Sequence, residues 1–453
     1  MDFSNWETLL ETSEKTLIHE LNEAPSVEVG EFLDEIDNNL KLKIFKKLEL
    51  EKKSDVFCNL KLESQNFIFC NINKREFSNI FKNMESDTRA DFYKQLTIEQ
   101  QNKLIPFLNK EIKEDVLLLS SYSDDTSGSI MSTDFATIYN DMTVAQALEK
   151  LKIDSPSKKM IYYTYVVDEE MKMLGFISLH DLILANGEEH ISNLLKTNFI
   201  FAYVDDDKEE VASMIEKYSL VAIPILNQDR ELLGIVKYDD AIEVIKNEQS
   251  EDMEKMMGIS SYSDNIDYLS ISCLTNYNKR IWWLIGLFIL GIFTSLAINK
   301  FENILTQIPL LTPFLPMISS VGGNTGGQSS SLIIRALSLK EIDIKDCFKV
   351  LYKELNISLL ISITMFILAF AEGMLISLYN NQGIYSSFYI AITVGISLFI
   401  QIIFSTVLGA LLPLIVKIIG KDPAVIATPA IMTIVDILSV LIYFTVAKKI
   451  ILS

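Results

Sequence analysis

Asp436 sits in "TPAIMTIVDILSVLIYF", near the middle of the apolar run 424–447. A carboxylate at that depth is disfavoured by roughly 2.5–3.5 kcal/mol on insertion scales. It needs a partner or a water-filled cavity. Its chemistry suits a hard cation: Mg2+ dehydrates reluctantly and takes one or two carboxylates, further oxygens and retained waters. A structural hydrogen bond between helices is the plainer role. A second odd stretch is "SSVGGNTGGQSSSLIIRALS", residues 319–338, which is polar and glycine-rich among apolar segments. Pro309, Pro313 and Pro316 precede its glycines, which argues against a straight lipid-facing helix. Irregular backbone survives at membrane depth only against protein or a wet cavity. Residues 319–331 are therefore expected to line a wet path or to pack closely on another helix. Their Gly, Ser and Asn backbone would add oxygens to those of Asp436. Within this stretch Gly322 to Ser329 reads G-x-x-x-x-G-Q-S. It misses a phosphate loop because Gln328 replaces the lysine and no soluble strand precedes it.

Further acids stand outside the apolar runs. Asp87 and Asp91 are i,i+4 neighbours, a repulsive pair unless a cation intervenes, and Asp55 lies upstream; a solvated face is the bland alternative. The segment 238–257 reads helical and carries Asp239, Asp240, Glu243, Glu248, Glu251, Asp252 and Glu254 against Lys246 and Lys255. Such a like-charged helix leading into the first apolar run suits control by cations, with a merely soluble linker as the alternative.

The elements that must hold these residues fall into two halves of opposite character. Residues 1–276 carry 52 acidic and 28 basic residues, and residues 277–453 carry 8 and 12. The acidic half disfavours nucleic acid, whose phosphates it repels. Cys58, Cys70, Cys273 and Cys347 are scattered, as expected of free thiols in a reducing compartment. "MDFSNWETLL" has no signal-peptide pattern, which points to a cytoplasmic soluble half. Four long apolar runs, 282–299, 355–379, 384–416 and 424–447, are long enough to cross a bilayer, and a weaker fifth spans about 304–336. Glu372 is the one further acid within these runs and falls near an interface. Arg335, Lys340, Lys345, Lys349, Lys353, Lys417 and Lys421 place their loops inside. Five spans and an outer C-terminus follow, with Lys448 and Lys449 as a small inconsistency.

Two repeats organise the soluble half. Leu48, Leu60, Ile72, Met84, Leu96 and Leu108 are spaced twelve apart. So are Phe45, Phe57, Phe69, Phe81, Tyr93 and Ile105, and Ile44, Val56, Ile68, Ile80, Phe92 and Leu104. One short helix per unit, stacked as a small solenoid, satisfies this pattern. Further on, "YVVDEEMKMLGFISLHDLI" matches "IPILNQDRELLGIVKYDDAI": strand, turn, strand, then a helix. Gly175 pairs with Gly234 and Asp181 with Asp240. Two α/β units in tandem read as a pseudo-symmetric regulatory pair.

The order of parts and the motifs "GGNTGGQSSSLIIRAL", "EIDIKD", "LGALLPLIVKIIGKDPAVIATP", "VDILSVLIYF" and "SYSDDTSGSIMSTDF" resemble the MgtE family of magnesium channels, over about residues 40–449. The resemblance implies a multidomain homodimer. An all-α helical-repeat N domain (1–126) precedes an α/β tandem CBS pair, named for cystathionine β-synthase (127–197 and 198–249). A connecting plug helix (250–276) then leads to an all-α five-helix transmembrane domain (277–453). It implies a pore on the dimer axis in which Asp436 holds hydrated Mg2+, lined by Gly322, Gly323, Asn324, Thr325, Gly326, Gln328, Thr428, Met432 and Ser439. Thr428 departs from a family Asn, and Met432 and Ser439 stand where smaller residues are common. Regulatory Mg2+ is implied at Asp55, Asp87, Asp91, Asp207, Glu209, Asp240, Glu243, Glu248, Glu251 and Asp252. Ser219 stands in place of one regulatory acid, and Lys237 where Ser or Thr is common. CBS pairs bind adenine nucleotides, so ATP is a candidate modulator, with Asp181 suited to a ribose contact.

The expected function is a Mg2+-gated Mg2+ uptake channel in the cell membrane, a non-enzyme, with its N-terminal domains in the cytoplasm. The alternatives are a membrane-anchored CBS sensor without transport, or a transporter of another divalent ion such as Co2+ or Mn2+.

Overall fold

The structure, a computed structural model, describes residues 4–154, 160–260, 271–425 and 428–451. It divides into two compact units, residues 1–245 and 246–453.

In the first unit the twelve-residue repeat becomes one helix per repeat. Leu50–Cys58, Leu62–Asn71, Lys74–Asn83, Ser86–Gln95, Ile98–Leu104 and Lys110–Leu119 each begin one repeat after the last. Caps recur at the same register: Asn73 and Asn109 accept backbone N–H groups of their helices, and Thr97 closes a capping box with Gln100. All three apolar rows enter one core from Ile44 to Leu104, with Ile105 and Leu108 packed at its edge. Phe57, Phe69, Phe77 and Phe92 meet in tilted and edge-on contacts with centroids 4.9–5.6 Å apart, the geometry that aromatic quadrupoles favour.

The tandem repeat is also realised. Phe135–Tyr139 pairs parallel with Met160–Val167, which pairs antiparallel with Met173–Ser178. The second sheet repeats this with Ala202–Tyr203, Ala222–Leu226 and Leu232–Lys237. The helices Val144–Asp154 and Lys208–Tyr218 make the crossovers, as parallel neighbours require. A shared core of Tyr165, Val167, Met173, Ala222, Leu226, Leu232 and Ile235 joins the two sheets.

The connecting helix expected over 250–276 is described only in part. One helix, Tyr238–Met256, runs from the last strand across that boundary, and the first apolar helix begins at Cys273. Residues 261–270 of the expected segment lie outside the described residues.

In the second unit, four helices among the described residues are long and apolar enough to cross a membrane: Cys273–Lys300, Ile344–Tyr379, Ile384–Ile418 and Thr428–Ile451. The expected fifth, over about 304–336, falls partly on the helix Leu315–Ser338, which has 24 residues but is too polar to be among them. The expectation of irregular backbone there is overturned. The prolines end in a short 3-10 segment, Pro309–Phe314, and Pro316 lies in the first turn of a continuous α-helix, where its missing N–H is harmless. Glycine serves close approach instead. A Cβ on Gly409 would lie 2.2 Å from the Gly326 carbonyl oxygen, and one on Gly326 would lie 3.0 Å from the Ser405 carbonyl oxygen. The helices Leu315–Ser338 and Ile384–Ile418 therefore touch backbone to backbone, as small residues allow in membranes. Gly409→Leu should destabilise the detergent-solubilised protein by ~1–3 kcal/mol or more through overpacking. Gly286→Leu, at a glycine with no atom near its missing Cβ, should not; equal losses of melting temperature for both would contradict this packing.

Candidate functional site

The helix Thr428–Ile451 carries Asp436 against the glycine–serine helix Leu315–Ser338. Ser319 Oγ donates to Asp436 Oδ1 at 2.9 Å. The carboxylate is half-buried, so one hydrogen bond fixes it without sealing it in. The same two helices are held along their length by small residues. Met432 lies 3.6 Å from the Cβ position of Gly323, and Thr428 Cγ2 lies 2.9 Å from that of Gly327. Ser331 and Thr428 hydroxyls meet at 3.4 Å. Ser439 faces the other way: it is buried and accepts from Gln401 Nε2 at 2.6 Å. That Gln401 amide also packs where a Gly322 Cβ would stand and donates to the Val435 carbonyl at 3.3 Å. Thr325 pairs with Ser405 at 2.8 Å. Gly322, Gly326 and Ser439 thus build the packing that positions Asp436, whereas Asn324 and Gln328 are exposed one turn apart, in line with exposed Ser320. The carbonyls of 319–331 belong to a continuous helix, so the expected unwound oxygen ligands are not formed.

Sequence reasoning missed three polar groups here. Gln401 and Ser319 gave no signal, since each is uncharged and common. Glu354 was placed outside the run 355–379, yet it lies within the helix Cys347–Tyr379, is 7% exposed and accepts from Ser329 Oγ at 2.8 Å. Glu372, by contrast, is exposed.

The end of the acidic helix Tyr238–Met256 belongs to the second unit and makes polar contacts there with Asp422 and with the end of the glycine–serine helix. Lys255 bridges Glu251 at 3.0 Å and Asp422 at 3.1 Å. Ser338 Oγ donates to Asp252 at 3.2 Å. Burial, then the nearby Asp422 charge, pushes the Asp252 carboxyl up. Glu248 lies one turn before Asp252 on this helix, and Glu243 further back.

Of the remaining acids, the structure brings Asp87 and Asp240 together. Lys237 Nζ lies 2.8 Å from Asp87 and 3.3 Å from Asp240, and it also pairs with Glu85. Lys237 is 8% exposed and Asp87 7%, so Asp87 is not on a solvated face. Burial, then the Asp87 charge, pushes the Asp240 carboxyl up, to about 8. Lys237 stays protonated, because Asp87 and Asp240 outweigh its burial. Asp91 is exposed, and so is Asp55. Asp207 caps the helix Lys208–Tyr218, accepting from Glu209 N at 2.8 Å and Glu210 N at 3.4 Å; Glu209 is exposed in that first turn. Among the described residues no three His, Cys, Asp or Glu side chains converge as a metal cage. Asp181 is held by Lys196 at 2.5 Å, which, with the Ser178 hydrogen bond, lowers its carboxyl to about 2.

Comparison with known proteins follows the same division. Residues 315–446 match MgtE, divalent cation transporter; residues 24–125 match the MgtE intracellular N domain; residues 128–188 and 191–247 match CBS domains. The chain is 30% identical to the magnesium transporter MgtE of Thermus thermophilus, over 76% of this chain and 74% of that protein. It is 35% identical to the magnesium transporter MgtE of Bacillus subtilis, over 75% and 72%. Among solved structures, the soluble part of a magnesium transporter overlays with TM-score 0.51 at 29% identity, covering 54% of this chain and 97% of that one. The cytosolic domain of the Mg2+ channel MgtE in complex with ATP gives 0.50 at 26% identity, covering 52% and 97%. With its N domain, CBS pair and membrane region all matched in order, the chain belongs to the MgtE family.

Proposed function

We propose that the chain is a multi-pass membrane channel that admits Mg2+ and is closed by Mg2+ on its cytoplasmic side. The observation that carries this reading is a half-buried carboxylate, Asp436, fixed by Ser319 beside an exposed polar row of Ser320, Asn324 and Gln328 on an otherwise membrane-length helix. Lipid cannot satisfy such a row. A second copy of the chain would close it around a wet axis, with the glycine–serine helix as the fifth span. One carboxylate with retained waters suits Mg2+, which keeps much of its hydration shell. At ~2.3 kcal/mol per charge per 100 mV, the membrane potential drives a divalent ion inward without ATP.

Closure would act through the end of the acidic helix. Asp252 meets Ser338 at the end of the glycine–serine helix, and Glu251 shares Lys255 with Asp422. A cation shared by Glu248, Glu251 and Asp252 would relieve their repulsion and hold this contact. Asp55, Asp91, Asp207, Glu209 and Glu243 remain candidate outlying ligands. ATP remains a candidate modulator at Asp181, where a ribose hydroxyl would have to displace Lys196.

A membrane-anchored sensor has no use for Asp436 or for the polar row, and transport of Co2+ or Mn2+ is distinguished by ion substitution. In voltage-clamped vesicles, Asp436→Asn should abolish Mg2+ current, a loss of at least tenfold, while the protein keeps its wild-type melting curve; an undiminished current would remove the site. Neutralising Glu248, Glu251 and Asp252 together should move the Mg2+ dose–response for closure to several-fold higher concentration. An unmoved curve would remove the sensor.

A further inference from the structure

Lys237 occupies an unusual position in the tandem repeat. The offset that pairs Gly175 with Gly234 and Asp181 with Asp240 also pairs Ser178 with Lys237. In the first CBS unit Ser178 caps the following helix, accepting from Asp181 N at 3.1 Å. In the second unit the residue at that position is a long cation, and it reaches out of its own repeat. Its ammonium meets Asp240 of its own helix, and Glu85 and Asp87 at the start of the helix Ser86–Gln95 in the helical domain.

The surrounding polar groups find their partners within the chain itself. Ser86 N donates to Asp134 at 2.8 Å, and the Ser86 hydroxyl meets that of Ser132 at 2.9 Å and accepts from Thr133 N at 2.8 Å. Asp115 is paired by Arg89 at 2.9 Å and accepts from Thr133 Oγ1 at 2.7 Å. Ala90 of the same helix is buried in the core of the second CBS unit. A divalent ion does not fit here. Mg2+ demands oxygens at about 2.0–2.1 Å in near-octahedral array, and the space between Asp87 and Asp240 holds a buried ammonium that would repel it.

We propose that Lys237 is a tethered cation that fastens the helical domain to the CBS pair, so that this junction stays docked whether or not Mg2+ is present. Divalent sensing in this chain is then left to other acids, such as those at the end of the Tyr238–Met256 helix. The proposal does not depend on transport, and its test reads no flux, so either can fail alone.

The test is a distance measurement on the full chain in detergent. One spin label is placed on exposed Cys70 and one at Ile183→Cys, with the other three cysteines changed to serine. The otherwise unaltered chain should give one distance distribution, the same in EDTA and in saturating Mg2+. Lys237→Met should lose that single distribution in EDTA, and Lys237→Arg should keep it. Recovery of Lys237→Met by Mg2+ would show a divalent ion entering once the ammonium is gone, and no recovery would show that the tether alone serves; both support the proposal. A distribution that opens in EDTA and closes in Mg2+ while Lys237 is present would overturn it, and this comparison needs no folded Lys237 variant. A Lys237→Met distribution unchanged in EDTA would overturn it as well.

Discussion

The glycine–serine helix lies against its neighbour only because Gly326 and Gly409 leave no side chain where the two backbones cross. Without a hydrophobic drive between helices in lipid, such close contact is what association rests on. The crossing sets the depth and rotation of the helix Leu315–Ser338. That rotation brings Ser319 to Asp436, sets Gly323 and Gly327 under Met432 and Thr428, and leaves Ser320, Asn324 and Gln328 outward. The buried amide of Gln401 ties the same arrangement to Ser439 and Val435 on the aspartate helix. Packing and polarity are therefore one device: glycine removes bulk on the inner face, and hydroxyls and amides supply the polar contacts.

Much of the soluble half was legible in the sequence because its physics is local and periodic. Three apolar rows spaced twelve apart can be buried together only by stacking one short helix per repeat, and Ile44 to Leu104 are buried in that way. The paired Gly175 and Gly234 likewise mark equivalent strands in two matching sheets. Asp436 was legible for a different reason, since one charge in an apolar run is conspicuous.

What escaped was non-local. Glycine and proline content suggested broken backbone over 319–331, but composition does not reveal whether glycine frees a chain or lets two helices touch; here it does the second. Glu354 lies one residue outside an apolar run, where nothing in the local pattern marks it, although it accepts from Ser329 within the membrane unit. Lys237 was visible as a departure from Ser or Thr. Its partners Glu85 and Asp87 are far away in sequence, and nothing in the local pattern points to them. The acids of this chain accordingly meet different fates: Asp87 and Asp240 share a built-in cation, Asp207 caps a helix, and Asp252 meets the end of the glycine–serine helix.

The central claim is that the outward row on the glycine–serine helix faces water on the ion path rather than lipid. The most direct measurement is the reaction of Asn324→Cys with a charged, membrane-impermeant thiol reagent in a cysteine-free background in vesicles, with and without Mg2+. The account predicts modification that blocks Mg2+ flux and is slowed several-fold by Mg2+. Reaction only with a lipid-soluble maleimide, with flux unaffected, would contradict it.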